Sequence, residues 1–261
     1  MRGEMTQDTW NPNQYERFQD ERSQPFYDLL ALVQPRPGMR VVDLGCGTGE
    51  LTAELHRRLQ ARETLGVDSS AAMLAKSAAF ACAGLRFERG DVAEFTAPRA
   101  YDVVFSNACL HWLPRHEELL HRLTEALDAG GQLAVQVPAN HDHPSHVLAH
   151  AVAREAPFRD ALDGYTRSKP VLEPEEYALL LYRLGYREQH VRLQVYGHHL
   201  PSRDEVVEWV KGTLLTDYQR RLPADLWPRY LVRYRECLLP RLEDVRPYFY
   251  PFKRILFWGR R

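Results

Sequence analysis

RVVDLGCGTGE, residues 40–50, decides the fold of this 261-residue chain. Its first five residues, Arg40–Leu44, form a short apolar run that the following glycines stop, the pattern of a buried strand. Leu51–Leu59 (LTAELHRRL) then places apolar residues at helical spacing. Gly45, Gly47 and Gly49 let the intervening backbone turn sharply and approach a ligand with no Cβ in the way. The helix behind the loop presents unpaired N–H groups toward that ligand. A carboxylate, Asp43, stands just before the turn, where it disfavours a pyrophosphate and favours a cationic or amino-bearing group. A dinucleotide loop reads G-x-G-x-x-G; here the third glycine comes one residue early, at Gly49, and Glu50 follows it.

Outward from the loop, strand and helix patterns alternate. Thr64–Asp68, Leu85–Glu88, Tyr101–Ser106 and Gln132–Val137 read as strands. Ala71–Phe80 and His116–Leu127 read as helices, the second broken by Asp128–Gly131. Such alternation predicts parallel βαβ units in an α/β sheet. The second half is less regular. Glu175–Leu184 is helical, Gln189–Tyr196 alternates as a strand, and residues 203–245 are mostly helical with breaks at Pro223, Pro228 and Pro240. Lys253–Trp258 closes the chain as a strand, so both ends of the sequence contribute to one sheet with helical insertions over it.

Composition narrows the function. Hydrophobic residues at 44% and charged residues at 26% exclude a disordered chain. No apolar run approaches the roughly 18 residues of a membrane span, and the polar start has no signal-peptide core, so a cytoplasmic chain is expected. Cys46, Cys82, Cys109 and Cys237 make no CxxC pair, which points to neither a disulfide framework nor a zinc site. His141, His143, His146 and His150 cluster, with 146 and 150 one helical turn apart. No cysteine lies beside them, and Pro144 with Ser145 reads as a helix start capped by Ser145, so no metal is expected. Net charge is −1, but residues 219–261 hold 11 Lys and Arg against 4 Asp and Glu, leaving −8 for the rest. That end is either a set of solvated helix faces or a basic wall that attracts a small anionic substrate. A pI near 6.8 gives no nucleic-acid footprint.

Asp68 ends the second strand about 20 residues after the loop, where a carboxylate can accept ribose hydroxyl protons. Ser69 and Met73 follow, and Met73 can pack on an adenine. After the third strand comes Gly90-Asp91-Val92: Asp91 can accept from an exocyclic amine and Val92 can offer a backbone N–H. Asn107 and Ala108 end the fourth strand. Each station closes a successive strand. The set Asp43, Gly45, Cys46, Gly47, Thr48, Gly49, then Asp68, Asp91 and Asn107, resembles the cofactor site of class I S-adenosylmethionine-dependent methyltransferases. Their cofactor, S-adenosyl-L-methionine, carries a sulfonium and an ammonium, in accord with Asp43; the product is S-adenosyl-L-homocysteine.

A narrower resemblance covers nearly the whole chain. Trp10-Asn-Pro12, Tyr15, Phe18, Glu21-Arg22-Ser23 and Pro25 look like the start of the trans-aconitate methyltransferases. So do Asp68-Ser-Ser70, Ala72-Met-Leu-Ala75, Trp112-Leu-Pro114, Leu133-Ala-Val-Gln136, His146-Val-Leu148, Trp209-Val210 and Arg254 with Arg260-Arg261. The resemblance implies a Rossmann-like sheet of seven strands, the last antiparallel, with a helical cap inserted before that last strand. It implies residues 1–36 as an arm and first helix over the active site, 37–198 as the cofactor-binding core, 199–250 as the cap for substrate, and 251–261 as the last strand. It implies methyl transfer to a carboxylate of a small di- or tricarboxylic acid, by a monomer or weak homodimer with no nucleic-acid or membrane partner.

A carboxylate with a pKa of about 4 is ionised at neutral pH and needs no general base. Catalysis then rests on alignment and removal of water. Arg254 is the best-matched cation for the acceptor, with Arg22 next because a guanidinium forks onto a carboxylate. Tyr15, His146, Trp10 and Trp209 complete the expected substrate set, and Lys211 and His198 are weaker candidates. An Arg or Lys in these positions otherwise forms a surface salt bridge, and Trp10 otherwise anchors the arm. The chain departs from the family at His111, where the pattern has Gln, at Lys253, where it has Pro, and over Arg154–Val171. His111 lies just after the fourth strand. It is a hydrogen-bond donor, a support for Trp112, or a base for a hydroxyl or amine acceptor. A cofactor-binding protein without turnover is a further alternative, because fold alone does not set function.

Overall fold

Val41, Val103 and Phe105 pack on one face of a sheet while Val42, Leu44 and Val104 pack on the other. This is the period-two alternation of extended backbone. In the computed structural model, residues 19–261 are described, with side chains from Ser23 onward. The chain runs through α1 (Gln19–Leu30), β1 (Arg40–Leu44), α2 (Glu50–Leu59), β2 (Glu63–Asp68), α3 (Ala71–Ser77), β3 (Leu85–Arg89), β4 (Tyr101–Asn107), α4 (His116–Glu125) and β5 (Leu127–Pro138). It continues through α5 (Pro144–Ala153), α6 (Phe158–Ala161), α7 (Pro174–Arg183), β6 (Glu188–Leu200), α8 (Glu205–Lys211), α9 (Leu215–Arg221), α10 (Leu226–Leu238) and β7 (Tyr248–Arg260).

The strands form one sheet in the order β3-β2-β1-β4-β5-β7-β6. β1 pairs parallel with β2 and β4, and β7 lies antiparallel between β5 and β6. The expected seven-stranded class I methyltransferase sheet with an antiparallel last strand is present. Strand order reverses between β1 and β4, and such a switch point opens a crevice at the carboxyl ends of the strands. One face is covered by α1 and α2 through Phe26, Leu29 and Leu55, the other by α4 and α7 through Leu119, Leu123 and Tyr177. Each fully buried side chain of this size contributes about 1.5–3 kcal/mol. A third cluster, with Trp209, Tyr218, Tyr230, Tyr234 and Tyr250 at its centre, joins α5 and α8–α10 to the ends of β6 and β7.

Several local expectations change. His199 and residues 248–250 lie in β6 and β7 rather than in the inserted helices, because the two strands pair over thirteen residues each. Pro228 does not break a helix; it sits in the first turn of α10, where a missing N–H costs little. Asp128–Gly131 lie inside β5: Tyr101 pairs with Leu127 and Val103 with Gln132, so the extra residues bulge. His143, not Ser145, caps α5; its Nδ1 accepts from the Ser145 N–H at 3.1 Å.

Candidate active site

The carboxyl ends of β1, β2 and β4 open into a cavity of about 690 Å³, a volume suited to a small ligand with a cofactor. At one end stands the glycine loop. Gly45 and Cys46 donate their N–H groups to the Val67 carbonyl, at 2.8 and 3.1 Å, which pins the loop to β2. Gly45 has φ +81°, and a Cβ there would lie 2.4 Å from that of Cys109; Gly49 has φ +82° and packs as closely on Ser77. Glycine is required at both. A Cβ on Gly47 would meet nothing within 4 Å, so there the loop faces open space. Asp68 Oδ2 accepts from the Gly47 N–H and Oδ1 from the Ser70 N–H, both at 2.9 Å. A carboxylate has lone pairs beyond these two. Asp43 is buried and accepts from the Thr52 hydroxyl at 2.6 Å. Burial raises its pKa to about 7 against that hydrogen bond, and the nearby Asp68 charge adds to the rise.

Thr48, Ser69, Met73, Asp91 and Val92 line the same end, Asp91 also accepting from the Ala93 N–H at 2.8 Å. Cys46 lines it too, but burial pushes its thiol far up, so it is no nucleophile. Asn107 and Ala108 stand midway. Ala108 has φ +55°, a strained value for a side-chain-bearing residue. Asn107 Oδ1 and His111 Nδ1 are buried with no hydrogen-bond partner among the described residues. The His111 ring lies 4.8 Å from that of Trp112. Burial holds its pKa well below the usual range, and the charges of Arg167 and Arg254 lower it further.

The other end is cationic. Arg254, 5% exposed, reaches in from β7 with its guanidinium carbon 4.9 Å from the Phe252 ring. Arg167, from the segment between α6 and α7, lies 4.0 Å over the Trp112 ring. Arg220 lines the wall while paired with Asp217 at 2.9 Å. His146 lines it as well, and burial lowers its pKa to about 3. Trp209 is a core residue whose edge reaches the cavity; it packs against His198 at 4.6 Å. The cavity thus carries Asp43, Asp68 and Asp91 at one end and Arg167, Arg220 and Arg254 at the other.

Every expected cofactor-site residue lines this cavity except Gly49, which instead begins α2 behind the loop. Of the expected substrate set, His146, Trp209 and Arg254 line it, as does His111. Trp10 and Tyr15 lie outside the described residues, as does the side chain of Arg22. Lys211 and His198 do not line the cavity; Lys211 pairs with Glu208 at 2.8 Å. Arg167 and Arg220 escaped the motif reading because no motif marks them. Their one signal is that each is an arginine in a segment expected to help select the acceptor. Among the described residues, no three His, Cys, Asp or Glu side chains are grouped to hold a metal ion. No helix among them is long and apolar enough to cross a membrane.

A family model described as a methyltransferase domain matches residues 41–131. A trans-aconitate 2-methyltransferase of Deinococcus radiodurans is 48% identical over 97% of this chain and 98% of its own length. One of Variovorax paradoxus is 40% identical over 96% and 95%. Among solved structures, the YcgJ protein of Bacillus subtilis superposes with a TM-score of 0.60 at 16% identity, covering 91% of this chain and 98% of that one. An S-adenosylmethionine-dependent methyltransferase of Mesorhizobium loti gives 0.52 at 21% identity, covering 90% and 96%. At these identities the structures speak for the fold.

Proposed function

We propose that this chain, which belongs to the trans-aconitate 2-methyltransferase family of S-adenosylmethionine-dependent enzymes, methylates a carboxylate oxygen of a small di- or tricarboxylic acid of the trans-aconitate kind. The observation that carries the reading is the reversal of charge along one cavity, from buried and loop carboxylates to arginines. A sulfonium and ammonium suit the first end, a polycarboxylate the second.

The residues present fit the cofactor. Gly47 faces open space, Asn107 Oδ1 is an unused acceptor, and Asp43 is a buried acid that a cation would keep ionised. Asp43, Thr48 and the Gly45–Gly49 loop would hold its amino-acid part, Asp68 and Ser69 its ribose, and Met73, Asp91 and Val92 its adenine. The cofactor supplies an electrophilic methyl group. Arg254, with His146, holds the acceptor so that one carboxylate oxygen aims at that methyl group. Trp112, Trp209 and Phe252 keep water from it. The acceptor oxygen is anionic at neutral pH, so no side chain has to take a proton from it, and the task left to these residues is alignment and exclusion of water. His111, kept neutral, hydrogen-bonds the acceptor. On the resemblance alone, the arm bearing Trp10, Tyr15 and Arg22 is assigned to closing the site.

The rival reading, a hydroxyl or amine acceptor with His111 as base, asks for a basic imidazole, and the lowered His111 pKa opposes it. Transfer of a labelled methyl group to a panel of small acids, with base-labile product counted, tests the proposal. An ester formed on trans-aconitate supports it. A bound cofactor with product only on hydroxyls or amines overturns it.

A further inference from the structure

Arg167 stands in a segment with no family motif, yet it enters the cavity beside His111. Its guanidinium covers the Trp112 ring at 4.0 Å, and among the described residues it makes no ion pair. Stacking uses the flat face of a guanidinium and leaves its N–H edge for a planar anion. Asp217, the carboxylate whose field it feels, is already engaged by Arg220, Arg221 and the Tyr165 hydroxyl, so a partly desolvated guanidinium here gains from a ligand that brings its own charge.

The surroundings hold the backbone of this arginine in place. Its own N–H donates to the Tyr218 hydroxyl at 3.4 Å, and that hydroxyl also meets His150 Nδ1 at 2.6 Å. Two residues earlier, the Tyr165 hydroxyl donates to Asp217 at 2.6 Å, and the Arg221 guanidinium lies 3.8 Å over the Tyr165 ring. The segment is therefore stitched to α9. Arg254 arrives from β7, on a different element, and both charges act on His111. A ligand with two anionic groups can therefore give one to each arginine.

We propose that Arg167 is a specificity-determining residue: it receives a second carboxylate of the acceptor and sets the preference for acids with several carboxylates over monocarboxylates. The inference rests on the carboxyl-methylating reading of the same site.

The test compares the full-length wild type with Arg167→Gln and Arg167→Lys. Acid binding to the S-adenosylhomocysteine complex is measured by calorimetry, and methyl transfer by steady-state kinetics, with trans-aconitate and the monocarboxylate crotonate. A charge-assisted contact is worth about a 10- to 100-fold change in binding. Arg167→Gln is expected to weaken trans-aconitate binding and raise its KM by about that factor, with kcat changed far less and crotonate nearly unaffected. Arg167→Lys is expected to restore part of the loss. An unchanged affinity for S-adenosylhomocysteine separates this from misfolding; if the Gln variant loses that affinity, the Lys variant carries the comparison. An unaltered trans-aconitate to crotonate ratio in both variants overturns the role of Arg167 and leaves the reaction standing. A wild type that neither binds nor methylates any acid overturns the reaction and this role together.

Discussion

The Thr52 hydroxyl donates to Asp43 Oδ2 at 2.6 Å, tying the end of β1 to the helix behind the glycine loop. Asp43 is nonetheless raised to about pKa 7, against about 4 for an ordinary carboxylate. Between those values the folded chain binds a proton that the unfolded chain lacks. The Asp43 contribution to ligand-free stability therefore falls as pH rises through that window, and the cost is complete above about pH 7. Asp43→Asn removes it. Calorimetry is expected to show a higher Tm than wild type at pH 8, little difference near pH 4, and cofactor affinity about tenfold or more weaker. A variant that binds the cofactor as well as wild type contradicts the role of Asp43.

Two glycines of one loop separate folding from binding. At Gly45 an added Cβ strikes Cys109 at 2.4 Å, so Gly45→Ala is expected to lower both Tm and cofactor affinity. At Gly47 the same methyl meets only open space, and the left-handed backbone costs about 1–2 kcal/mol. Gly47→Ala is expected to lose cofactor affinity out of proportion to its smaller loss of Tm, read by calorimetry and thermal melts. Equal proportional losses in both variants would argue against Gly47 facing the ligand.

This loop was legible in the sequence because its chemistry is contiguous. Strand, three glycines and helix follow one another in the twenty residues Arg40–Leu59, and Asp68, Asp91 and Asn107 each close the next strand. The acceptor end was legible only in part. Arg254 sits in β7, Arg167 in a connecting segment and Arg220 in α9, and no periodicity or spacing joins them; only the folded chain brings them to one cavity. Local misreadings had local causes. Proline at Pro228 suggested a break because its position in the helix was unknown, and Gly130-Gly131 suggested a turn where a bulge takes up the residues. His199 looked like the start of an insertion because strand β6 runs on past its apolar alternation.

His111 and His146 are both held neutral by burial, His146 with a pKa of about 3. With pKa values below the unfolded value of about 6.5, they bind protons more readily in the unfolded chain. Their contribution to stability is present above pH 6.5 and is lost as pH falls below it. Ligand-free Tm is expected to drop between pH 6.5 and 4.5, and His146→Asn to shallow that drop. Over pH 6–8, kcat/KM for a carboxylate acceptor is expected to stay flat. A steep loss of rate below pH 7 would point to His111 as a base.

Arg254 tests the acceptor end. It is 5% exposed and lies between β5 and β6 on β7. Arg254→Lys keeps the charge and loses the fork, so kcat/KM for the acid is expected to fall about tenfold or more while cofactor affinity holds. Kinetics with calorimetry on the same sample checks both. An unchanged kcat/KM would remove Arg254 from acceptor binding.

In the proposed reaction, one cavity brings a methyl donor at its acidic end to a polycarboxylate at its arginine end. The most direct measurement is transfer of labelled methyl from S-adenosylmethionine to trans-aconitate and to other di- and tricarboxylates, with the product exposed to mild base. Turnover on trans-aconitate and release of the label by base, as an ester requires, are expected. Full cofactor binding with no ester formed on any acid would contradict the proposed reaction.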